Sequence, residues 1–207
     1  MVDRKKRDFD EDEPMIHACQ KGDVDAFEVL VKKHQKRMYN IAYRLIGNFE
    51  DAGEVVQDAF VAAYKNIRKF QGKSKFITWM TTIVVNMSKN RIRKLGSKMN
   101  TGTVSMDACT KTNDLEIKHN PAAADPSPLE RLERKQVQQQ VQWCINTIAE
   151  GFREVLVLKD IQGFSYTEIS KMLKIPDGTV KSKLYRARDF LKVCLKNVFG
   201  DLAHVVS

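Results

Sequence analysis

Apolar residues recur at helical spacing over two long stretches of the chain, and between them the pattern fades. From about Val24 to Leu95, Phe27, Leu30, Val31, Met38, Ile41 and Leu45 form one series, and Val55, Val56, Ala59, Phe60, Ala63, Tyr64 and Ile67 form another. No proline interrupts this block. From roughly Gly96 to Pro128, Ser, Thr, Asn, Asp and Pro dominate instead. That stretch of about 30 residues is too long for an ordinary connection inside one compact domain. Helical spacing returns from about Leu129 to Val198. The pattern predicts an all-α fold: two small helical domains, 15–95 and 129–199, joined by a flexible linker at 96–128. Residues 1–14 mix charges of both signs and read as a disordered, solvated tail.

The second block predicts a helix-turn-helix. Ser165 and Glu168 in S-Y-T-E match a capping box, so a helix starts at Ser165 and runs through Ile169, Met172 and Leu173. Pro176 cannot sit in a helix interior but suits a first turn, which places the next helix start near Asp177 or Gly178. Two short helices joined by about four residues have the spacing of that motif. On the second helix Val180, Leu184, Ala187, Leu191 and Cys194 fall in one narrow stripe. Lys181, Ser182, Tyr185, Arg186 and Lys192 lie outside it. Lysine, serine and arginine can hydrogen-bond base edges in a major groove, and an aromatic ring can press on a thymine methyl. Lys183 and Arg188 flank the stripe and suit phosphate contacts. The competing reading is a soluble amphipathic helix with a charged outer face.

Charge sharpens the picture. The 207 residues carry a formal net charge of +9, with 43% hydrophobic and 29% charged residues. A basic, ordinarily apolar chain suits a soluble fold with an anionic partner, nucleic acid first. From Ala59 to Met106 there is no acidic residue, while Lys65, Arg68, Lys69, Lys73, Lys75, Lys89, Arg91, Arg93, Lys94 and Lys98 are all basic. This marks a one-signed surface. No run of about 18 apolar residues predicts a membrane span, and the N-terminus has no apolar signal segment. Cys19, Cys109, Cys144 and Cys194 make no C-x-x-C pair, so they are expected to be reduced thiols of a cytoplasmic protein, with no metal site despite His17 near Cys19.

The first block carries two further patterns. In DAGEVVQDAFVAAYKNI, residues 51–67, Glu54, Gln57, Asp58 and Val61 share a face apart from the apolar one. An acidic, partly polar stripe beside a basic surface fits a protein partner better than DNA. The stretch FQGKSKFITWM, residues 70–80, interleaves aromatics with lysines and small polar residues. That mixture serves single-stranded nucleic acid, in which lysines follow phosphates and apolar walls hold an unstacked base. Phe76 and Trp79 also suit core positions. Asn86, Lys89, Asn90, Arg91 and Arg93 follow on the next helix and could contact duplex backbone or base edges.

The pairing of D-A-x-E-V-V-Q-D-A-F with F-x-G-x-S-x-F-x-T-W-M resembles the core domain of sigma-70-family initiation factors, and the whole resembles their small extracytoplasmic-function (ECF) group. The run EGFREVLVLKDIQGFSYTEISKMLKIPDGTVKSKLYRARDFLK resembles the −35 domain of the same group. The resemblance covers about residues 24–95 and 130–197, in the family's order. It implies a sigma region 2-like domain and a region 4-like domain. It implies that Asp51, Glu54, Gln57, Asp58 and Val61 lie in the face that docks on the β′ clamp helices of RNA polymerase, with the β subunit a further contact. By the same resemblance Gln71, Gly72, Lys73, Ser74 and Lys75, with Trp79 nearby, hold a base flipped from the −10 element. Asn86, Asn90, Arg91 and Arg93 would contact the −10 region. Lys181, Ser182, Tyr185 and Arg186 would read −35 base edges, while Thr179, Lys183 and Arg188 hold phosphates. An anti-sigma factor is implied as partner; an obligate homo-oligomer is not.

Three departures stand out: Gly53 replaces a usual acid, Ile148-Ala149 replaces a usual L-P, and Lys183 replaces a usual arginine. The rival reading is a stand-alone helix-turn-helix repressor or activator, which needs no polymerase-docking stripe. A nuclease is disfavoured because no carboxylate cluster or His/Cys set stands in a suitable context. No catalytic residue, metal or cofactor is expected.

Overall fold

The structure, a computed structural model, describes residues 10–100 and 127–200. Four helices build the N-terminal unit: α1 (Glu13–Gln20), α2 (Val24–Ile46), α3 (Phe49–Asn66) and α4 (Phe76–Asn100). Four build the C-terminal unit: α5 (Pro128–Thr147), α6 (Glu150–Leu156), α7 (Tyr166–Leu173) and α8 (Asp177–Phe199). A short 3-10 turn, Ile67–Lys69, follows α3, and a π-turn, Val157–Ile161, extends α6. Among the described residues there is no strand.

Local sequence sets the helix ends. The Asp23 side chain accepts from the Ala26 N–H at 3.1 Å to open α2, and that of Asn48 accepts from the Asp51 N–H at 2.9 Å to open α3. Ser127 with Glu130, and Ser165 with Glu168, form capping boxes for α5 and α7. Gly47 ends α2 at φ +82°, and a Cβ there would collide with the Asn146 side chain. Glycine is required twice over: for the left-handed turn and for the close approach of α5.

In the N-terminal unit α2, α3 and α4 pack around Leu30, Met38, Ile41, Leu45, Phe76 and Met80. In the C-terminal unit Val155, Leu156, Leu158 and Ile169 meet the α8 stripe at Val180, Leu184 and Ala187. The two units lie against each other. Arg37 donates through Nε to Gln162 Oε1 at 3.1 Å and to the Gln162 carbonyl at 2.8 Å, and stacks 5.0 Å from the Phe164 ring. Arg44 donates to Gln142 Oε1 at 2.8 Å. Lys89 Nζ reaches the two carboxylate oxygens of buried Glu154 at 3.1 and 3.2 Å. Arg153 donates to the Leu45 carbonyl at 2.6 Å.

Two expectations are corrected. The tail assigned to 1–14 is folded from Asp10 onward; residues 1–9 lie outside the described residues. Asp12 is buried, 2.7 Å from His34 Nε2 and 2.7 Å from Lys33 Nζ, and Asp10 accepts from the Phe76 N–H at 2.8 Å. The acids that looked solvated find partners on α2 and α4, far away in sequence. Cys144 and Cys194 are not reduced thiols but form a disulfide, because α5 and α8 bring their Cα atoms to 5.7 Å. Cys19 is a buried free thiol, and Cys109 lies outside the described residues. Helix α4 also continues through Gly96 to Asn100, and the rest of the expected linker, 101–126, is outside the described residues.

Candidate nucleic-acid and partner interfaces

The helix-turn-helix is formed by α7 and α8, with Lys174 in the left-handed conformation at φ 55° and Pro176 at the N-cap of α8. The apolar stripe of α8 faces inward, so Lys181, Ser182, Tyr185 and Arg186 share an exposed face. Tyr185 is 77% exposed, with no packing reason for an aromatic there. The Lys181 ammonium sits 5.7 Å from the Tyr166 ring, which steadies the lysine without neutralising its charge. Ser182 Oγ donates to the Thr179 carbonyl at 3.1 Å, and Thr179 is half-buried.

The flanking cations are held otherwise. Lys183 turns inward, 3.5 Å from the Gly151 carbonyl and 5.8 Å from the Phe152 ring. Arg188 forms a forked pair with Asp160 at 2.7 and 2.8 Å, which raises its pKa through that hydrogen-bonded carboxylate. Both residues reach a phosphate only by leaving these partners.

In the N-terminal unit, Gln71, Gly72, Lys73, Ser74 and Lys75 form an exposed loop between the 3-10 turn and α4. Gln20 anchors its base by donating from Nε2 to the Ile67 and Phe70 carbonyls at 3.1 and 2.9 Å. Gly72 adopts φ +63° at its tip. Trp79 is half-buried, 4.9 Å from the Phe70 ring and 5.8 Å from the Phe76 ring, so it joins the aromatic cluster built from the residues on either side of the loop. Asn86, Asn90 and Arg93 recur at i, i+4 and i+7 on one exposed face of α4.

Arg91 leaves that face. Its guanidinium pairs with Asp51, with Nε 2.6 Å from Oδ1, and with Glu54 at 2.7 Å. The Asp51 hydrogen bond is the main reason its pKa is raised. A residue expected at DNA and two expected at the polymerase thus belong to one ion-paired cluster. Gln57, Asp58 and Val61 are exposed further along α3.

Gln57 and Val61 also line an open groove of about 520 Å³ between α2 and α3. Its other wall is Val24, Phe27, Val31 and Gln35 of α2, with Val24 60% and Tyr64 41% exposed. The polar stripe in the sequence points only to the α3 side. The available signal was the width of the α2 stripe, because Val24, Phe27 and Val31 repeat at i, i+3 and i+7. Among the described residues no three His, Cys, Asp or Glu side chains gather as a metal site, and no helix is long and apolar enough to cross a membrane.

A helix-turn-helix with an exposed basic face, joined in one chain to a helical unit with an open apolar groove, has the layout of a promoter-recognition protein. The family models of sigma-70 region 2 and sigma-70 region 4 match residues 30–98 and 138–191. The chain belongs to the sigma-70 family of RNA polymerase sigma factors and, within it, to the ECF group. It is 33% identical over 184 residues to the ECF RNA polymerase sigma factor SigW of Bacillus subtilis (strain 168), covering 88% of this chain and 96% of that one. It is 29% identical over 194 residues to the RNA polymerase sigma-H factor of Pseudomonas aeruginosa, covering 93% and 97%. The fold is similar to that of CnrH, solved in complex with the cytosolic domain of CnrY, with a TM-score of 0.64 and 24% identity over 90% of this chain and 97% of that one. The protein is therefore a transcription initiation factor that directs core RNA polymerase to promoters.

Proposed function

We propose that the α2/α3 groove with Asp51, Glu54, Gln57, Asp58 and Val61 docks on the β′ clamp helices of core polymerase, while α8 reads the −35 element. Lys181, Ser182, Tyr185 and Arg186 supply the base contacts, each good one worth about 1–3 kcal/mol of discrimination. The observation that carries the reading is Tyr185, 77% exposed on the face that a recognition helix turns to the major groove. Residues 71–75 hold an unstacked −10 base above Trp79, and Asn86, Asn90 and Arg93 follow the adjoining duplex. Arg91 orients Asp51 and Glu54 for the polymerase and reaches DNA only if that cluster opens. The protein works in the cytoplasm, has no catalytic chemistry of its own, and is held by an anti-sigma factor until released.

The closed packing bears on this mechanism. Thr78, beside the −10 loop, donates to Glu168 Oε1 of the helix-turn-helix at 3.4 Å. Promoter elements centred about 25 base pairs apart are separated by about 85 Å, at about 3.4 Å per base pair. One chain cannot read both elements while that contact stands, so the two units separate when the protein engages polymerase and promoter.

In vitro transcription with core polymerase on genomic DNA, with start sites mapped, tests the reading. Promoter-specific starts that vanish with Tyr185→Ala and Lys181→Ala support it. A symmetric operator footprint by the protein alone, with no gain in specific initiation, would overturn it in favour of a stand-alone regulator.

A further inference from the structure

The Cys144–Cys194 disulfide lies at the far end of α8 from the base-reading face, where packing is thinnest. The buried apolar residues of α8 are Val180, Leu184 and Ala187; beyond them Phe190 and Val193 are each 54% exposed. Leu191 packs only partly, and Phe190 meets Phe152 at 6.0 Å. The sulfur bridge is therefore the deepest tie between the C-terminal half of α8 and α5. Its two ends differ in access. Cys144 is fully buried, whereas Cys194 lines an open groove of about 570 Å³ with Trp143, Phe190, Val193 and Val198.

We propose that Cys144–Cys194 is a reversible thiol–disulfide exchange site, opened through Cys194, whose oxidation state sets the order of the C-terminal half of α8. Its reaction partner is a thiol, either a small one such as glutathione or a protein dithiol. The donor thiolate attacks Cys194 Sγ, the Sγ–Sγ bond breaks, and Cys144 leaves as a thiolate that takes a proton from water. A second donor thiol then attacks the mixed disulfide and releases Cys194. The net reaction oxidises two donor thiols to one disulfide and reduces the protein disulfide to two thiols. The reverse reaction, with a small disulfide as oxidant, restores the bridge.

Geometry favours exchange at this site. Cys194 is half-buried and lines an open groove, so a thiol can approach it from one side, and bridges with such access are the labile ones. In a reducing compartment, disulfides that persist are generally transient or sensing. Cys19 is a poor competitor, because burial, helped by Asp23, raises its thiol pKa and disfavours the thiolate. Opening the bridge loosens residues 190–199 and one wall of the groove, while Arg188 keeps its pair with Asp160. The base-reading residues 181–186 keep their seat through Val180, Leu184 and Ala187.

The test uses the full chain. The protein is equilibrated with glutathione disulfide or with dithiothreitol, thiols are mapped by peptide mass spectrometry, and hydrogen exchange is followed. The expected result is a Cys144–Cys194 linked peptide in the first state and two free thiols in the second. Exchange over 190–199 should be faster on reduction by on the order of tenfold, with 177–187 changing less than about twofold. C144S/C194S should match the reduced form in both buffers, and reduced wild type gives the same comparison without a substitution. Failure to form the linked peptide, failure of the thiol to open it in folded protein, or equal exchange in both states would each overturn the proposal. None of these readouts depends on promoter recognition.

Discussion

Arg153 is the residue whose removal should most affect the closed arrangement. Its guanidinium donates to three carbonyls: Leu45 and Asn146 at 2.6 Å each, and Ile148 at 3.0 and 3.1 Å. Leu45 lies in the last turn of α2, Asn146 is in the last turn of α5, and Ile148 follows it. One cation thus satisfies carbonyls at two helix C-termini, one from each unit. Hydrogen bonds to a charged group are worth about 1.5–3 kcal/mol each, so three acceptors taken separately suggest about 4–9 kcal/mol. Desolvation opposes this, and burial indeed lowers the Arg153 pKa. Removing one side of such a buried charged network costs about 3–5 kcal/mol, which is the expected loss for Arg153→Met. Arg153→Lys should recover less than half, because an ammonium cannot fork between acceptors. Urea unfolding followed by far-ultraviolet circular dichroism measures both. The Leu45 bond couples the units, so Arg153→Met should also broaden or split the transition. A single transition shifted by less than about 1 kcal/mol would refute the reasoning.

Tyr185→Ala should leave the unfolding midpoint unchanged, since the ring is 77% exposed, while −35 discrimination measured by competition binding falls by about 1–3 kcal/mol. A Cβ at Gly53 meets nothing within 4 Å, so Gly53→Ala inside α3 should stabilise by about 1 kcal/mol in thermal unfolding. Burial, ahead of the opposing attraction of Lys89, raises the Glu154 carboxyl above the usual carboxylate range; Glu150 and Lys183 also face it. The folded chain therefore binds this proton more readily than the unfolded one. The Glu154 contribution improves as pH falls through its raised folded-state pKa toward the ordinary carboxylate value, and is least favourable at neutral pH. Glu154→Gln should raise the urea midpoint at pH 7 and flatten the pH dependence; a lower midpoint with an unchanged slope would contradict this.

Features carried by neighbouring residues were legible in the sequence. The Ser165–Glu168 capping box, the break at Pro176 and the α8 stripe depend on spacings of a few residues, and the structure has all three. The exposure of Lys181, Ser182, Tyr185 and Arg186 followed from the same spacing. Features that join distant segments were not legible. The run from Ala59 to Met106 contains no acid, yet Arg91 finds Asp51 and Glu54 on α3 and Lys89 finds Glu154 on α6. A charge count along the chain cannot show which helix crosses which. The same limit hid the partner of Asp12 and the pairing of Cys144 with Cys194, because periodicity says which face a cysteine occupies and not which face it meets.

The forked pair of Arg188 with Asp160 changes how DNA binding should respond to ionic strength. A lysine or arginine free in solution that neutralises a phosphate releases a condensed counterion, adding about 0.9 to the slope of log affinity against log salt. Arg188 already has a carboxylate partner. If Arg188 turns to a phosphate, as its place beside the α8 stripe suggests, Asp160 is left uncovered beside a polyanion and takes up a cation in its place. One cation is released from the duplex and another is captured by the protein, so this contact adds close to nothing to the slope. The salt dependence of −35 binding should therefore undercount the phosphate contacts by about one, and Asp160→Asn should restore the missing increment, an unchanged slope in that variant speaking against an Arg188 phosphate contact.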